Sequence, residues 1–475
     1  MDAIAGEADP FPEFLENHPF AEIRLGDGAS LIRRVTHRDI QLFAAVTGDV
    51  NPAHVDAMYA KTSRFHEIIA HGMLGGSLIS TVLGTRFPGP GSIYLGQTLR
   101  FLKPVHIGDT LTVTVTVKSL DAAEHRVLLD TRCVDQDGDV VIQGEAEVIA
   151  PTEKLRIHRT DLPEPLLADK NLRYDQLLAA AKDCPSIRMG VVHPCSREAL
   201  EGALDAARLG LIEAVLIGPE AKIRSLAGDC HLDLGGIEVV DVPHSHAAAA
   251  TAVEMARAGK IHALMKGSLH SDELLTQVVN AQSGLRTARR ISHVLVLDVP
   301  RYPKPLLITD AAINVEPDFA AKVDIVQNAI DLAHALGIAK PKVAILSAVE
   351  TVTPKLRSAM EAAALAKMAD RGQITGGLVD GPLAFDNAVS IAAAKTKGIE
   401  SLVAGDADVL VVPDLDSGNM LTKQLEYLGD AQAAGIVMGA RIPIVLTSRA
   451  DSAHSRIASC AIALLWENHR RKALT

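Results

Sequence analysis

A carboxylate, a carboxamide and an imidazole stand close together in the segment TGDVNPAHVD, as Asp49, Asn51 and His54. Pro52 stiffens the backbone between them. An acid and a base on one rigid turn can share a single water, one accepting a proton while the other donates one. That is the chemistry needed to add water across a polarised double bond. The same pattern is also common in plain loops, in which Asp49 would only cap a turn.

Gly72 opens the segment HGMLGGSLISTVLG, whose nearly continuous apolar character predicts a buried helix. Free N–H groups at the start of such a helix, together with its positive dipole end, can stabilise an oxyanion on a thioester carbonyl. An amphipathic helix with Thr36 as its N-cap is predicted earlier in the chain. Downstream, the alternation in LTVTVTV and the hairpin signal DQDGD predict strands. The first part of the chain is therefore expected to be α+β, an antiparallel sheet around a central helix.

The segments GDVNPAH, IAHGMLGGSLIS, GSIYLGQTLRF and KPVHIGD resemble those of the hotdog-fold (R)-specific enoyl-CoA hydratases of the MaoC type. The resemblance implies that Asp49 and His54 form the catalytic dyad. It places the family's asparagine and serine on Asn51 and Ser77, and the glycine of the oxyanion hole on Gly72. It further implies syn hydration of trans-2-enoyl-CoA to (R)-3-hydroxyacyl-CoA in a dimer of hotdogs, a reaction that needs no metal.

After a charged stretch that contains several prolines, the sequence pattern changes to short apolar runs that alternate with alanine-rich helical segments. This alternation is typical of βαβ units and of parallel sheets buried on both faces. We expect a hotdog domain over 1–155, a linker with one short helix over 156–185, and an α/β domain over 186–475 that divides into two lobes around a cleft. The neighbouring histidines His66 and His71 are interpreted as packing or helix-start residues.

A second candidate site lies near the C-terminus, where Ser448 and Arg449 follow the apolar run IPIVLT and precede a helix expected to begin near Ser452. Strand ends facing helix N-termini are where α/β sheets bind anions, and a guanidinium can hold two phosphate oxygens at once. Lys266 ends another strand, and a basic cluster precedes a third: Arg286, Arg289 and Arg290. We predict that these four residues bind phosphate or CoA, although basic residues beside helices are often only solvated surface.

The segments ALMKGSLHS, SGLRTARRISHV, LVDGPLAFDNAVS, VVPDLDSGNMLTKQL and LTSRADSAHSRIAS resemble the phosphate acetyl/butyryltransferase family. The resemblance implies a two-lobed α/β fold like that of isocitrate dehydrogenase and acyl transfer between CoA and inorganic phosphate through a ternary complex. It assigns catalytic roles to Ser448 and Arg449, with the arginine binding phosphate and the oxyanion. Enzymes of the acetyl branch carry an aspartate seven residues after that serine, where this chain has Ser455. Asp451 is a possible substitute as general base.

Composition narrows the choice of partners and compartment. A net charge of −11 and 3% aromatic residues argue against nucleic acid as a partner. Five scattered cysteines, an acidic N-terminus and the lack of a long apolar stretch favour a cytoplasmic protein that is neither targeted nor membrane-bound. We expect a homo-oligomer, a dimer or larger, with no tightly bound cofactor and no metal, whose substrates are CoA thioesters and inorganic phosphate. His244 and His246 are read as helix-capping residues rather than as metal ligands.

Two alternatives stay open for the second half of the chain. It could be a non-catalytic CoA-binding or oligomerisation scaffold, because the family aspartate is missing. It could also be a dehydrogenase of related architecture, although no G-x-G-x-x-G fingerprint is present.

Overall fold

A computed structural model describes residues 13–160, 172–447 and 452–474 of the chain. The chain divides into two compact units, Met1–Leu167 and Ala168–Thr475. In the parts of the chain described, no helix is both long and apolar enough to cross a membrane. All five cysteines are free thiols.

The first unit has four helices and seven strands among its described residues, together with one 3-10 turn at Phe20–Glu22. In chain order they are β1 (Phe14–Glu16), β2 (Gly28–Arg34), α1 (His37–Thr47), α2 (Pro52–Val55), α3 (Ala57–Thr62), α4 (Gly72–Thr85), β3 (Ile93–Phe101), β4 (Thr110–Asp121), β5 (Arg126–Val134), β6 (Val140–Ile149) and β7 (Arg156–His158).

Five of these strands form one antiparallel sheet in the order β2-β4-β5-β6-β3, while β1 and β7 pair separately. β4 alternates buried and half-buried residues, because one face of the sheet packs on α4. The apolar residues Ile79, Val82 and Leu83 of α4 are buried in that core. The predicted antiparallel sheet around an apolar helix is confirmed.

Local sequence signals in this unit are confirmed as well. Thr36 caps α1 by accepting from the N–H of Asp39, and the Asp39 carboxylate accepts in return from the N–H of Thr36, so that both members of a capping box are present. The Asp-Gly signal produces the β5–β6 hairpin, in which Gly138 adopts a φ of +85°.

The second unit contains the remaining helices and strands. They are α5 (Leu172–Lys182), β8 (Ile187–Val192), α6 (Arg197–Arg208), β9 (Ile212–Gly218), α7 (Glu220–Asp229), β10 (Glu238–Asp241), α8 (Ser245–Arg257), β11 (Ala263–Lys266), α9 (Ser271–Val278), β12 (Ser292–Asp298), β13 (Leu306–Thr309), α10 (Phe319–Ala335), β14 (Lys342–Leu346), α11 (Arg357–Asp370), β15 (Leu378–Leu383), α12 (Phe385–Val389), α13 (Ile391–Thr396), β16 (Val409–Val411), α14 (Leu415–Leu428), β17 (Gln432–Met438), β18 (Ile444–Val445) and α15 (Ala453–Leu474).

Eleven strands form a single sheet in the order β10-β9-β8-β11-β18-β17-β12-β13-β16-β14-β15. Both faces are covered, since Ala214 and Leu216 of β9 belong to one apolar cluster and Val215 and Ile217 to another. The short helix expected in the linker is α5, which packs its Leu177 and Leu178 against the core of this unit.

The α/β fold expected for this domain is confirmed, but its sheet is not parallel throughout. Two parallel blocks are joined at the centre by antiparallel pairs, β12 with β13 and β17, and β17 with β18. The physical reason is the length of the connections: 299–305 and 439–443 are too short for the crossover helix that a parallel pair requires. The sheet is therefore mixed, although most of its pairs are parallel.

Candidate active sites

The first candidate site is built on the turn between α1 and α2. Gly48 ends α1 with a φ of +74°, a left-handed conformation that glycine adopts without strain. Asn51 caps α2 by accepting from the N–H of Ala53 at 3.1 Å, and Pro52 occupies the first helical position. These features fix Asp49 just before α2 and place His54 within it.

His54 is held by a hydrogen bond between its Nδ1 and the carbonyl oxygen of Ile69, at 2.7 Å. A carbonyl oxygen only accepts, so Nδ1 carries the hydrogen. In the neutral ring Nε2 is then left with a bare lone pair, which is the form a general base requires.

His71 lies against His54, with ring centroids 3.9 Å apart and planes inclined by 33°. Its Nε2 lies 2.9 Å from the backbone oxygen of Asp49 and must donate to it. The side chain is buried, and its Nδ1 has no hydrogen-bond partner among the described residues. His71 is buried at the N-cap of α4, which agrees with its interpretation as a packing or helix-start residue.

A cavity of about 450 Å³ joins these groups. Asp49, His54, His71 and Gly72 line it, and most of its remaining lining is apolar, including Phe101. Gly72 is the first residue of α4, as predicted, so the N-terminal end of that helix faces this space. The arrangement can bind an apolar chain beside a base and a helix N-terminus.

Two of the predicted residues have other contacts. Asn51 is absent from the described lining of this cavity and caps α2 instead. Ser77 is absent from it too, and its hydroxyl donates to the carbonyl of Leu74 at 2.7 Å. The structure therefore brings together Asp49, His54 and Gly72, and adds His71 to them.

Asp49, His54 and His71 are also spaced as metal ligands can be, with one potential ligand atom of each within 4.8 Å of the others. No other such group occurs within the three described ranges. Two imidazoles and a carboxylate are a set that Zn²⁺ accepts. Each imidazole donates one N–H to a backbone carbonyl, which leaves its other nitrogen available either for a metal ion or for proton transfer.

The second candidate site is a cavity of about 490 Å³ on the large sheet. Lys266, at the end of β11, lines it and is buried, with Nζ donating to the carbonyl of Leu269 at 3.3 Å. Thr447, two residues after β18, lines it as well. A lysine at a strand end can bind an anion in this cavity, whose lining also includes Lys423 and Glu426.

Ser448, Arg449 and Asp451 lie outside the described residues, directly after Thr447. The hydroxyl of Thr447 accepts from Nη1 of Arg456 at 2.8 Å, and both residues are buried. Ser455, which stands at the position of the family aspartate, lies in the first turn of α15 and lines a different cavity of about 360 Å³. The residues described thus place Lys266 and Thr447 together but not Ser455.

The three predicted arginines are not among the described residues that line the Lys266 cavity. Arg289 forms an ion pair with Asp331 on α10. The backbone N–H of Arg290 donates to Asp324 at 2.9 Å, and the backbone of Arg286 bridges to Ala440. Their binding role therefore stays a prediction that this cavity does not support.

Sequence reasoning missed His293, which is buried at the start of β12 and lines the Lys266 cavity. A Cβ on Gly435 of the neighbouring β17 would lie 2.7 Å from His293 Nε2, so the glycine makes room for the imidazole. The signal available was a histidine at the start of an apolar strand run, ISHVLVLD. His244 caps α8 by accepting from the N–H of Ala247, as predicted.

Comparison with known proteins gives two family matches. The model described as "MaoC like domain" matches residues 28–133, and the one described as "Phosphate acetyl/butaryl transferase" matches residues 244–464. A phosphate acetyltransferase of Rhizobium meliloti is 61% identical over 302 residues, which are 63% of this chain and 95% of that protein.

Solved structures match each part. A branched-chain phosphotransacylase from Enterococcus faecalis V583 is 30% identical with a TM-score of 0.52, covering 59% of this chain and 99% of its own. The R-hydratase PhaJ1 from Pseudomonas aeruginosa is 49% identical with a TM-score of 0.32, covering 32% of this chain and 99% of its own.

Proposed function

Because the chain belongs to the phosphate acetyl/butyryltransferase family and carries a MaoC-like domain in its first part, we propose that it is a bifunctional enzyme of acyl-CoA metabolism. The first unit hydrates trans-2-enoyl-CoA to (R)-3-hydroxyacyl-CoA. The second transfers an acyl group reversibly between CoA and inorganic phosphate. The CoA thioesters and inorganic phosphate bind as free substrates, and neither half needs a tightly bound cofactor.

The hydration half rests on one observation, the hydrogen bond from His54 Nδ1 to the carbonyl of Ile69. It leaves Nε2 bare, beside Asp49 and on a cavity lined largely by apolar side chains. In the proposed reaction Nε2 takes a proton from water as the water oxygen bonds to C3 of the enoyl thioester. The resulting enolate takes up a proton at C2 from the Asp49–His54 pair, so that one water is added overall.

Gly72 supports the electrophilic half of this reaction. It begins α4 at the cavity, where unpaired backbone N–H groups and the positive end of the helix dipole are available. An enolate oxygen placed there is stabilised as negative charge develops on it. Asn51 and Ser77 are proposed to act on the substrate only indirectly, by fixing α2 and the first turns of α4.

Two observations support the acyl-transfer half. Lys266 lines a cavity in which it can bind an anion, and Thr447, which directly precedes Ser448 and Arg449 in the sequence, lines the same cavity. In the proposed step a phosphate oxygen attacks the thioester carbonyl, the C–S bond breaks, and the CoA thiolate leaves and takes up a proton. Arg449 binds the phosphate and the carbonyl oxyanion, Ser448 hydrogen-bonds the sulfur or that oxyanion, and Asp451 is the candidate base for the reverse direction.

The decisive experiment supplies crotonyl-CoA with and without phosphate and identifies every product. We expect 3-hydroxybutyryl-CoA in both reactions and free CoA with an acyl phosphate only when phosphate is present. Asp49→Asn and His54→Ala are each expected to lower hydration by about 10²-fold and to leave phosphate-dependent thiol release unchanged. Ser448→Ala combined with Arg449→Ala should do the reverse.

Two outcomes would contradict the proposal. Retained hydration in the Asp49 and His54 variants would mean that the dyad is misassigned. Absence of phosphate-dependent thiol release from acetyl-CoA and butyryl-CoA would leave the second unit as a CoA-binding or oligomerisation scaffold.

We also propose that the protein works in the cytoplasm as a homo-oligomer. Five free thiols suit a reducing compartment. β3 is an edge strand of the first sheet and exposes Ile93, Tyr94 and Leu95, an apolar edge that a second copy could cover. Light scattering of the purified protein tests the oligomer, and a monomeric mass would contradict it.

A further inference from the structure

We propose that His71 is a positioning residue for hydration, which orients both members of the Asp49–His54 pair through its N–H group and its ring face. The inference rests on the proposed hydratase function and goes beyond it, because it assigns a role to a residue that the dyad does not include.

The N–H contact fixes the backbone of Asp49. His71 Nε2 donates to the carbonyl oxygen of Asp49 at 2.9 Å from a buried position. The other hydrogen bonds of Asp49 are long and exposed: its N–H donates to Thr47 Oγ1 at 3.3 Å, and its Oδ1 accepts from the N–H of Asn51 at 3.3 Å. His71 therefore supplies the short, buried anchor for this turn.

The ring contact fixes the plane of His54. A single hydrogen bond from Nδ1 to the carbonyl of Ile69 restrains rotation of the imidazole about its Cβ–Cγ bond. The His71 ring, whose centroid lies 3.9 Å away with its plane inclined by 33°, packs against the imidazole and restricts that rotation further. The ring centroid of Phe43 lies 5.0 Å from that of His71, so Phe43 also packs against the His71 ring. The lone pair of His54 Nε2 is thereby aimed in one direction.

Two variants separate the two contacts. His71→Phe keeps a stacked ring and loses the N–H donor, whereas His71→Gln keeps an N–H donor and loses the ring. Each is expected to lower kcat for hydration about 10-fold while KM for the enoyl thioester changes less than about 3-fold, because orientation and not binding is impaired. His66→Asn is the matched control, a nearby exposed histidine with a φ of +63° that asparagine tolerates, and should leave kcat unchanged.

A double-mutant cycle decides between positioning and a general structural role. If His71 acts through His54, adding His71→Phe or His71→Gln to His54→Ala should lower the residual hydration no further. Phosphate-dependent thiol release should be unchanged in all variants. If either variant unfolds the first unit, the other provides the cycle, and unfolding in both would show that His71 is needed for the fold and overturn the proposal.

Two further results would overturn the inference: kcat within twofold of wild type in both His71 variants, or the same loss with and without His54. These differ from failure of the proposed function, which would appear as hydration retained in His54→Ala.

Discussion

The carbonyl oxygen of Ile69 and the Nδ1 of His54 lie 2.7 Å apart, which fixes the tautomer of the imidazole in the first candidate site. Ile69 itself is held by an isolated bridge to His106 and by donation of its N–H to Ala53. The tautomer of the base in the proposed hydratase is thus set by a backbone carbonyl just ahead of α4, and not by a carboxylate.

His54→Asn should keep the hydrogen bond to Ile69 but remove the proposed base. The asparagine amide can place an N–H near the position of Nδ1 and keep the contact with Ile69, but it has no atom at the position of Nε2. We expect hydration to fall by about 10²-fold or more with little change in thermal stability, measured by the loss of enoyl thioester absorbance and by calorimetry. Hydration above a tenth of the wild-type rate would show that Nε2 is not the base.

Gly72→Ala should impair hydration by steric means. A Cβ at this position would lie 2.9 Å from a ring carbon of Phe101, whose exposed side chain can turn away only by changing the cavity that both residues line. We expect KM for the enoyl thioester to rise about 10-fold or more, a loss of roughly 1.4 kcal/mol of binding. Unchanged kinetics would contradict the placement of Gly72 at the substrate.

The control for this substitution is Gly84→Ala in the same helix. Gly84 is exposed, and a Cβ there would meet nothing within 4 Å. It should leave hydration unchanged and stabilise the first unit by roughly 0.5 kcal/mol, because alanine favours the helix.

The sequence predicts local features well because their causes are local. Thr36 caps α1 and the Asp-Gly pair turns the β5–β6 hairpin through contacts between residues a few positions apart. At the centre of the large sheet, short connections make β12–β13 and β17–β18 antiparallel, but the antiparallel pairing of β12 with β17 joins strands that are far apart in the sequence. The contacts of His71 and of His293 could not be predicted for the same reason, since they involve Asp49, 22 residues away, and Gly435 on another strand.

Thr447→Val should weaken acyl transfer and leave hydration intact. The substitution keeps the shape of the side chain but removes an acceptor for Nη1 of the buried Arg456, at the residue that directly precedes Ser448 in the sequence. A hydrogen bond to a charged group contributes about 1.5–3 kcal/mol. We expect kcat/KM for phosphate-dependent thiol release to fall at least about 10-fold.

Thr422→Val is the matched control for Thr447→Val, because Thr422 is also buried and lines the same cavity. Its hydroxyl donates only back to the carbonyl of Gly418, one turn earlier in α14. Acyl transfer should change less than about 3-fold in this variant, since such back-bonding contributes little. Equal losses in the two variants would contradict a special role for the Thr447–Arg456 contact.

Glu361→Gln should make the second unit less stable at neutral pH, by an amount that decreases as the pH falls. Burial alone would raise the pKa of Glu361, but hydrogen bonds from Lys322 and Arg357, at 2.5 and 2.7 Å, outweigh it and hold that pKa below its usual value of 4.5. A carboxyl with a lowered folded pKa stabilises the fold above its unfolded pKa and loses that contribution as pH falls. We expect a loss of about 2–4 kcal/mol at pH 7, because Lys322 is left buried without its counter-charge, and a smaller difference near pH 4. Urea unfolding at both pH values measures this difference in stability.

Asp370→Asn is the control for Glu361→Gln. It breaks an exposed pair with Lys367 on the same helix and should cost less than about 0.5 kcal/mol at either pH. A difference for Glu361→Gln that does not change with pH would show that its carboxylate charge is not what stabilises the fold.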